Sequence, residues 1–171
     1  HAATAGALAS IANIYSEMGR LTDAQNRYEE VLSLAYRAGD KRIIARTENN
    51  LAECLFLLGN AGSALTHAHS ALDHCRRLTD RSDEPNILIN LGRILGKLQF
   101  WEESGERLDE AIKMADEIGD RRAKAEAMAF RAEQLRIQPE APETNHGKAR
   151  ALFADALIIA SEIKAYGLQV Q

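Results

Sequence analysis

The sequence is poor in residues that interrupt regular structure, with 3 prolines and 11 glycines among 171 residues. Its two cysteines are too few for a disulfide framework in a chain of this size. No run approaches about 18 consecutive apolar residues, and the first residues lack the charged and apolar regions of a signal peptide. These absences exclude collagen-like, disulfide-stapled and membrane-spanning chains.

Basic residues are also not in excess, since 21 Lys and Arg against 25 Asp and Glu give a net charge of −4. A general nucleic-acid binder normally carries a net basic face, so we expect no nucleic-acid partner and no membrane partner. The composition, 46% hydrophobic and 27% charged, is that of an ordinary folded protein. The length allows one domain or one continuous array of small units.

Motifs for catalysis or metal binding are missing too. The sequence has no phosphate-binding glycine loop, no recognisable pair of nucleophile and base, and no zinc pattern. His67 and His74 would lie about 10 Å apart along a helix and His69 would face elsewhere, so one ion cannot bind all three. We therefore expect solvated histidines, buried and unreactive thiols at Cys54 and Cys75, no metal, no cofactor and no enzymatic activity.

The sequence repeats itself with a period of 40 residues. Glycines recur at Gly19 and Gly59, and large apolar residues recur at Leu32, Leu72 and Ile112. The repeats predicted from this period cover about 3–40, 41–80, 81–120 and 121–164, the last with an insertion inside 137–147, while 165–171 form the first turn of a further repeat. We treat 1–171 as a single array and expect the protein to continue beyond Gln171.

Each repeat is predicted to contain two helices, because apolar residues recur at i, i+3, i+4 and i+7. Gly19 and Gly59 supply left-handed residues that end a helix, Asp40 and Asp120 can cap one, and Pro85 fits a first helical turn. The predicted helices cover about 3–18, 22–38, 41–58, 61–78, 84–98, 101–118, 121–136 and 146–164. No segment has the pattern of a strand, so the predicted fold class is all-α.

Residue size also follows the period and predicts how the helices pack. Small residues allow the two helices of a hairpin to approach closely, as with Ala12 facing Ala24 and Ala52 facing Ala64. Large residues are expected to be buried between successive hairpins, at about 1.5–3 kcal/mol each. These residues are Tyr28, Leu32, Leu72, Leu108 and Phe153. The acidic run in 102–110 is expected to form helical ion pairs, Glu103 with Arg107 and Asp109 with Lys113, and Trp101 is expected to pack rather than to anchor a ligand.

These positions resemble the tetratricopeptide repeat family, whose pattern is matched by Ile11-Ala12, Tyr15, Gly19, Ala24, Tyr28 and Val31-Leu32. The usual unit has about 34 residues, and the 40-residue form is similar to arrays in kinesin light chains, spindle-orienting adaptors and bacterial signalling proteins. The resemblance implies a right-handed superhelix, an α-solenoid of four antiparallel hairpins plus the start of a fifth. It also implies a concave groove, lined by the first helix of each hairpin, that binds a peptide or protein without catalysis.

Polar side chains of the first helices are the candidate groove residues. An asparagine amide can donate to and accept from a peptide backbone, but it can equally brace neighbouring helices, and both alternatives stay open. Arg93 and Lys97 could form a basic spot for an acidic ligand residue or could balance nearby carboxylates. The candidate peptide-binding residues are Asn13, Glu17, Arg46, Asn49, Asn50, Glu53, Asn86, Asn90, Arg93 and Lys97, with Ile89, Glu126, Glu133 and Arg136 on the same side.

Some members of this family hold the C-terminal carboxylate of a chaperone peptide with two asparagines and three cations. Asn13 and Asn50 match the asparagine positions, but Ala9, Asn86 and Asn90 stand at the cation positions. Without those cations a carboxylate loses its charge-assisted hydrogen bonds, so we expect no appreciable binding of such peptides.

The predicted function is therefore a scaffold or sensor module that binds a protein segment inside a larger intracellular, cytoplasmic signalling or regulatory protein. The alternative is a structural role, in which the ends of the array support self-association or intramolecular docking through residues such as Leu168 and Val170. The identity of the ligand and the oligomeric state stay open.

Overall fold

The computed structural model describes residues 2–139 and 143–169, with side chains over 4–139 and 143–165. Within these residues the chain forms eight α-helices and no strand, which confirms the all-α prediction. None of the described helices is both long enough and apolar enough to cross a membrane. The helices are α1 (Ala2–Glu17), α2 (Leu21–Ala38), α3 (Lys41–Leu57), α4 (Ala61–Arg76), α5 (Glu84–Lys97), α6 (Trp101–Ile118), α7 (Arg121–Ile137) and α8 (Glu143–Gln169).

The helix ends follow from local chemistry. Asp40 accepts hydrogen bonds from the backbone N–H groups of Arg42 and Ile43 at 3.1 and 3.0 Å, and Asp120 caps α7 in the same way. Gly19 and Gly59 have φ of 73° and 84°, in the left-handed region that favours glycine. These predicted caps and turns are confirmed. The third position of this series is Gln99, which takes φ of 67° without being a glycine.

The last helix differs from the sequence-based boundaries. Helix α8 starts at Glu143, three residues before the predicted start, and continues to Gln169. Residues 165–169 therefore continue α8 without a break, whereas the sequence predicted the first turn of a further repeat there. Residues 170 and 171, and the side chains of Leu168 and Val170, lie outside the described part of the chain.

The contacts of the chain divide it into two compact units, His1–Asn90 and Leu91–Gln171, with the boundary inside α5. In the first unit α1 packs on α2, α2 on α3, and α3 on α4. The small residues predicted to set these approaches, Ala12, Ala24, Ala52 and Ala64, are completely buried. Tyr28, Leu32 and Leu72 are buried as predicted.

In the second unit α6 packs on α7, and α7 packs on α8. The Ser104 hydroxyl donates to the Gly92 carbonyl at 2.8 Å, and buried Leu108 lies against Gly92. Ala132, Leu135 and Ala149 form a small core between α7 and α8. The prediction that Phe153 is buried is wrong, because no described element covers its face of α8 and the side chain is 40% exposed.

The ion pairs predicted for the acidic run are also wrong. Arg107 pairs with Glu110 at 2.7 Å, and Lys113 approaches Glu117 at 3.9 Å. Asp109 accepts two hydrogen bonds from Arg131 of α7, at 2.9 and 3.1 Å. A partner from another helix thus replaces the local partner that helical spacing suggested. Trp101 is half-buried at the start of α6.

Candidate functional site

Two asparagines connect α1 and α3 on one surface of the first unit. The Oδ1 atom of Asn13 accepts a hydrogen bond from the Tyr28 hydroxyl at 2.8 Å and another from Nδ2 of Asn50 at 3.1 Å. A carbonyl oxygen has two lone pairs, so this acceptor is fully used. These bonds fix the orientation of both amides, and the polar surface around them is built on rigid helices.

Asn13 and Asn50 border a shallow acidic pocket of about 250 Å³. Burial is the main cause that raises the pKa of Tyr28 to about 12, and the nearby Cys54 and Glu53 raise it further. The phenol therefore stays protonated and donates to Asn13. We name this the Glu53 pocket; its lining residues are Asn13, Ser16, Glu17, Tyr28, Asn50 and Glu53.

Asn50 also borders a second pocket of about 250 Å³ between α3 and the first part of α5. Arg46 donates two hydrogen bonds to the carboxylate of Asp83, at 2.7 and 3.1 Å. The bond to Asp83 is the main cause that raises the pKa of Arg46. The two charges compensate each other in this Asn86 pocket, which is lined by Arg46, Asn49, Asn50, Asp83, Asn86 and Ile87.

A second asparagine pair lies beside these pockets. Nδ2 of Asn90, a buried residue, donates to Oδ1 of Asn49 at 3.1 Å. The asparagines of α3 thus hydrogen-bond to α1 on one side and to α5 on the other. These contacts match the bracing alternative, and peptide binding by the same amides stays a prediction.

The remaining candidates lie in the second unit. The guanidinium of Arg93 lies 4.6 Å from the centre of the Phe130 ring, a cation–π contact, while Lys97 is exposed. Arg136 donates two hydrogen bonds to Glu133, at 2.8 and 2.6 Å. The bond from Arg136 is the main cause that lowers the pKa of Glu133.

A buried carboxylate that the sequence analysis did not single out lies on the other side of α3. Glu48 accepts hydrogen bonds from the Tyr36 hydroxyl at 2.8 Å and from Ser70 at 3.1 Å, and Nδ1 of His67 lies 2.6 Å away. The prediction that His67 is a solvated helix residue is therefore wrong. A glutamate at a register position that is otherwise apolar, such as Leu88, was the signal that could have revealed this network.

Both thiols are buried, as predicted. Burial is the main cause that raises the pKa of Cys75 to about 11, and it also raises the pKa of Cys54. A raised pKa keeps a thiol protonated and poorly reactive. Over the described ranges, no group of three or more histidine, cysteine or acidic side chains is arranged to hold a metal ion.

Known proteins match this chain at the level of family and fold. Two family models, both described as tetratricopeptide repeat, match residues 4–38 and 43–99. A solved structure, the crystal structure of BtubC (BKLC) from P. vanneervenii, is similar with a TM-score of 0.78 and 19% sequence identity. The match covers 94% of this chain and 64% of that chain, so this chain spans less than two thirds of BtubC. No curated protein matches the sequence.

Proposed function

The chain belongs to the tetratricopeptide repeat family, an α-solenoid family that generally mediates protein–protein interactions, and we propose that it binds a peptide or protein segment on the surface shared by the Glu53 and Asn86 pockets. The observation that carries this proposal is the position of Asn50. It borders both pockets, and α1, α3 and the first part of α5 each contribute amide side chains around it.

The hydrogen-bonding groups around Asn50 support binding of an extended backbone. Within the described residues, no hydrogen bond involves Oδ1 of Asn50 or Nδ2 of Asn13. One amide thus offers an acceptor for a peptide N–H, and the other offers donors for a peptide C=O. Because the bonds to Tyr28 and between the amides already fix both side chains, binding would lose little additional side-chain freedom. Bracing and binding are then compatible roles of the same residues.

The charges favour a ligand with a basic residue. Glu17 and Glu53 lie at one pocket, while the Arg46–Asp83 pair leaves the other pocket close to neutral. A lysine or arginine of the ligand would be attracted to the Glu53 pocket, with its backbone continuing past Asn50 toward Asn86. A terminal carboxylate would meet no cation at Asn86 and Asn90, in agreement with the prediction that chaperone tails do not bind.

The setting of this activity is also a proposal. The family generally acts as a scaffold rather than as an enzyme, and we propose the same for this chain. The long repeats are similar to those of signalling arrays, which supports a role in a cytoplasmic signalling or regulatory protein. Cell fractionation of the tagged chain tests the location.

Selection of peptides from a random displayed library against the chain tests the binding surface. Selected peptides should be rich in lysine and arginine, and Asn50→Ala should weaken their binding at least tenfold, a change of about 1.4 kcal/mol. Asn26→Ala is the matched control, because Asn26 is exposed on α2 and borders neither pocket.

Fluorescence anisotropy measures these affinities, and circular dichroism checks that both variants are folded. Glu17→Gln together with Glu53→Gln should weaken basic peptides selectively. Selected peptides that bind Asn50→Ala as tightly as the unchanged chain would show that the binding surface lies elsewhere.

A further inference from the structure

Helices α7 and α8 of the second unit form an open apolar groove of about 670 Å³. Phe153 is 40% exposed there and Leu157 is 68% exposed. Large apolar side chains with this exposure lose much more free energy to water than they would in a core. The apolar lining residues from the two helices include Ala125, Ala129, Phe153, Leu157, Ala160 and Ile163.

The repeat shows what this groove corresponds to. The insertion in the fourth repeat shifts its register by five residues, so Phe153, Leu157 and Ala160 correspond to residues 85 + 40 positions earlier in α2, a step of 125. Those counterparts are Tyr28, Leu32 and Ala35, all of which are buried. The same face of the second helix is thus covered in the first repeat and uncovered in the fourth.

In the first unit, helix α3 covers this face of α2. The Cys54 thiol donates a hydrogen bond to the Leu21 carbonyl at the start of α2, at 3.1 Å. Cys54 is also close enough to Tyr28 to raise the pKa of that phenol. Leu51 and Cys54, three residues apart on α3, are both buried. A helix that presents apolar residues at this spacing is therefore what fits against such a face.

The chain carries one helix with this pattern uncovered. Ile11 and Ile14 of α1 are the counterparts of Leu51 and Cys54, 40 residues earlier. Their side chains are 42% and 53% exposed. The chain thus presents both halves of the α2–α3 interface without a partner, one half on α8 and the other on α1.

We propose that the α7–α8 groove binds helix α1 of a second copy of this chain, in a head-to-tail contact that continues the α2–α3 interface. Ile14 of one molecule packs against Phe153 of the other, as Cys54 lies near Tyr28. Each molecule has one groove and one α1, so the contact is heterologous and allows assemblies larger than a dimer. A second copy is the occupant that the repeat register specifies, because its α1 has the required spacing and an uncovered apolar face.

Sedimentation velocity of the 171-residue chain over a concentration series tests this contact. The average mass should rise with concentration below about 1 mM, where association is worth about 4 kcal/mol. Leu157→Glu places a charge in the groove, and Ile14→Glu places one on α1. Each variant alone should bind itself at least tenfold more weakly than the unchanged chain, since a buried unpaired charge opposes association.

Mixing the two variants gives the decisive result. Ile14→Glu keeps an intact groove and Leu157→Glu keeps an intact α1, so an equimolar mixture should form a 1:1 heterodimer that stops at two molecules. An interface between like faces would instead stay broken in the mixture, and that outcome would overturn the head-to-tail arrangement.

Matched controls use exposed apolar residues outside the two faces. Met18→Glu and Ile158→Glu change exposed side chains that do not line the groove, and Leu58, the counterpart of Met18, is exposed within its own repeat. Both controls should associate like the unchanged chain, and circular dichroism should show all four variants folded. A chain that stays monomeric up to about 1 mM, or controls that weaken association equally, would overturn the proposal and leave the groove to a different partner.

Discussion

Replacing Gly92 with alanine tests whether the approach of α5 to α6 depends on the absence of a side chain. A Cβ atom at this position would lie 2.6 Å from Cγ and 2.9 Å from Cδ2 of Leu108. It would also lie 3.3 Å from the Ser104 carbonyl oxygen. Because Leu108 is buried and Ser104 belongs to the helix backbone, the added methyl group has no open space to enter.

Two effects of opposite sign determine the change in the free energy of unfolding. Alanine in a helix interior is favoured over glycine by about 1 kcal/mol. Overpacking a well-filled core typically costs about 1–3 kcal/mol. Since carbon atoms at 2.6 Å overlap strongly, we expect the steric cost to exceed the helix gain, with a net destabilisation of about 1 kcal/mol. Urea unfolding followed by circular dichroism measures it.

The matched control is Gly6→Ala, because a Cβ at Gly6 meets no atom within 4 Å and the residue lies inside α1. This variant should be more stable by up to about 1 kcal/mol. Adding Leu108→Ala to Gly92→Ala should remove the penalty, so the double-mutant cycle should give a coupling of about 1–3 kcal/mol. Stabilisation by Gly92→Ala alone, or additive effects in the cycle, would refute the steric explanation.

Two further predictions concern the backbone and a buried charge. Gln99→Gly should stabilise the chain by about 0.5–1 kcal/mol, because Gln99 has φ of 67°, whereas Gly59→Gln should destabilise it by a similar amount in thermal unfolding. Burial acts to raise the pKa of Glu84, but hydrogen bonds from Arg81 and Arg76 outweigh it and lower the pKa. Its stabilisation is therefore present above the unfolded pKa of about 4.3 and is lost as pH falls through the lower folded value. Glu84→Gln should cost about 1.5–3 kcal/mol near neutral pH and much less near pH 3 in urea unfolding; an equal cost at both would contradict this assignment.

The sequence predicted the helices well because their signals are local. Hydrophobic spacing, Gly19 and Gly59 in the turns, and the cap at Asp40 involve residues within a few positions of one another. Boundaries were less certain where such signals were missing, as at Glu143, where α8 begins earlier than predicted. Gln99 shows that the repeated turn keeps its left-handed conformation even where the glycine is replaced.

The candidate site was predicted only in part. The register placed Asn13, Asn50 and Asn86 on the same surface, but it gave no information about their hydrogen-bond partners. The contacts of Asn13 with Tyr28 and of Arg46 with Asp83 join residues of different helices. Side-chain rotamers and the packing of neighbouring helices determine such pairs, and neither is encoded in a spacing.

By itself the sequence determined the all-α class, the 40-residue period and the small residues at close helix contacts, since each depends on a pattern that recurs along the chain. Only the tertiary structure decided which charged side chains pair, that Glu48 is buried with three hydrogen-bonding neighbours, and that Phe153 is exposed. The physical reason is that a side chain at a given register position is buried only if another helix covers it. A repeat pattern specifies the position but does not supply the covering helix.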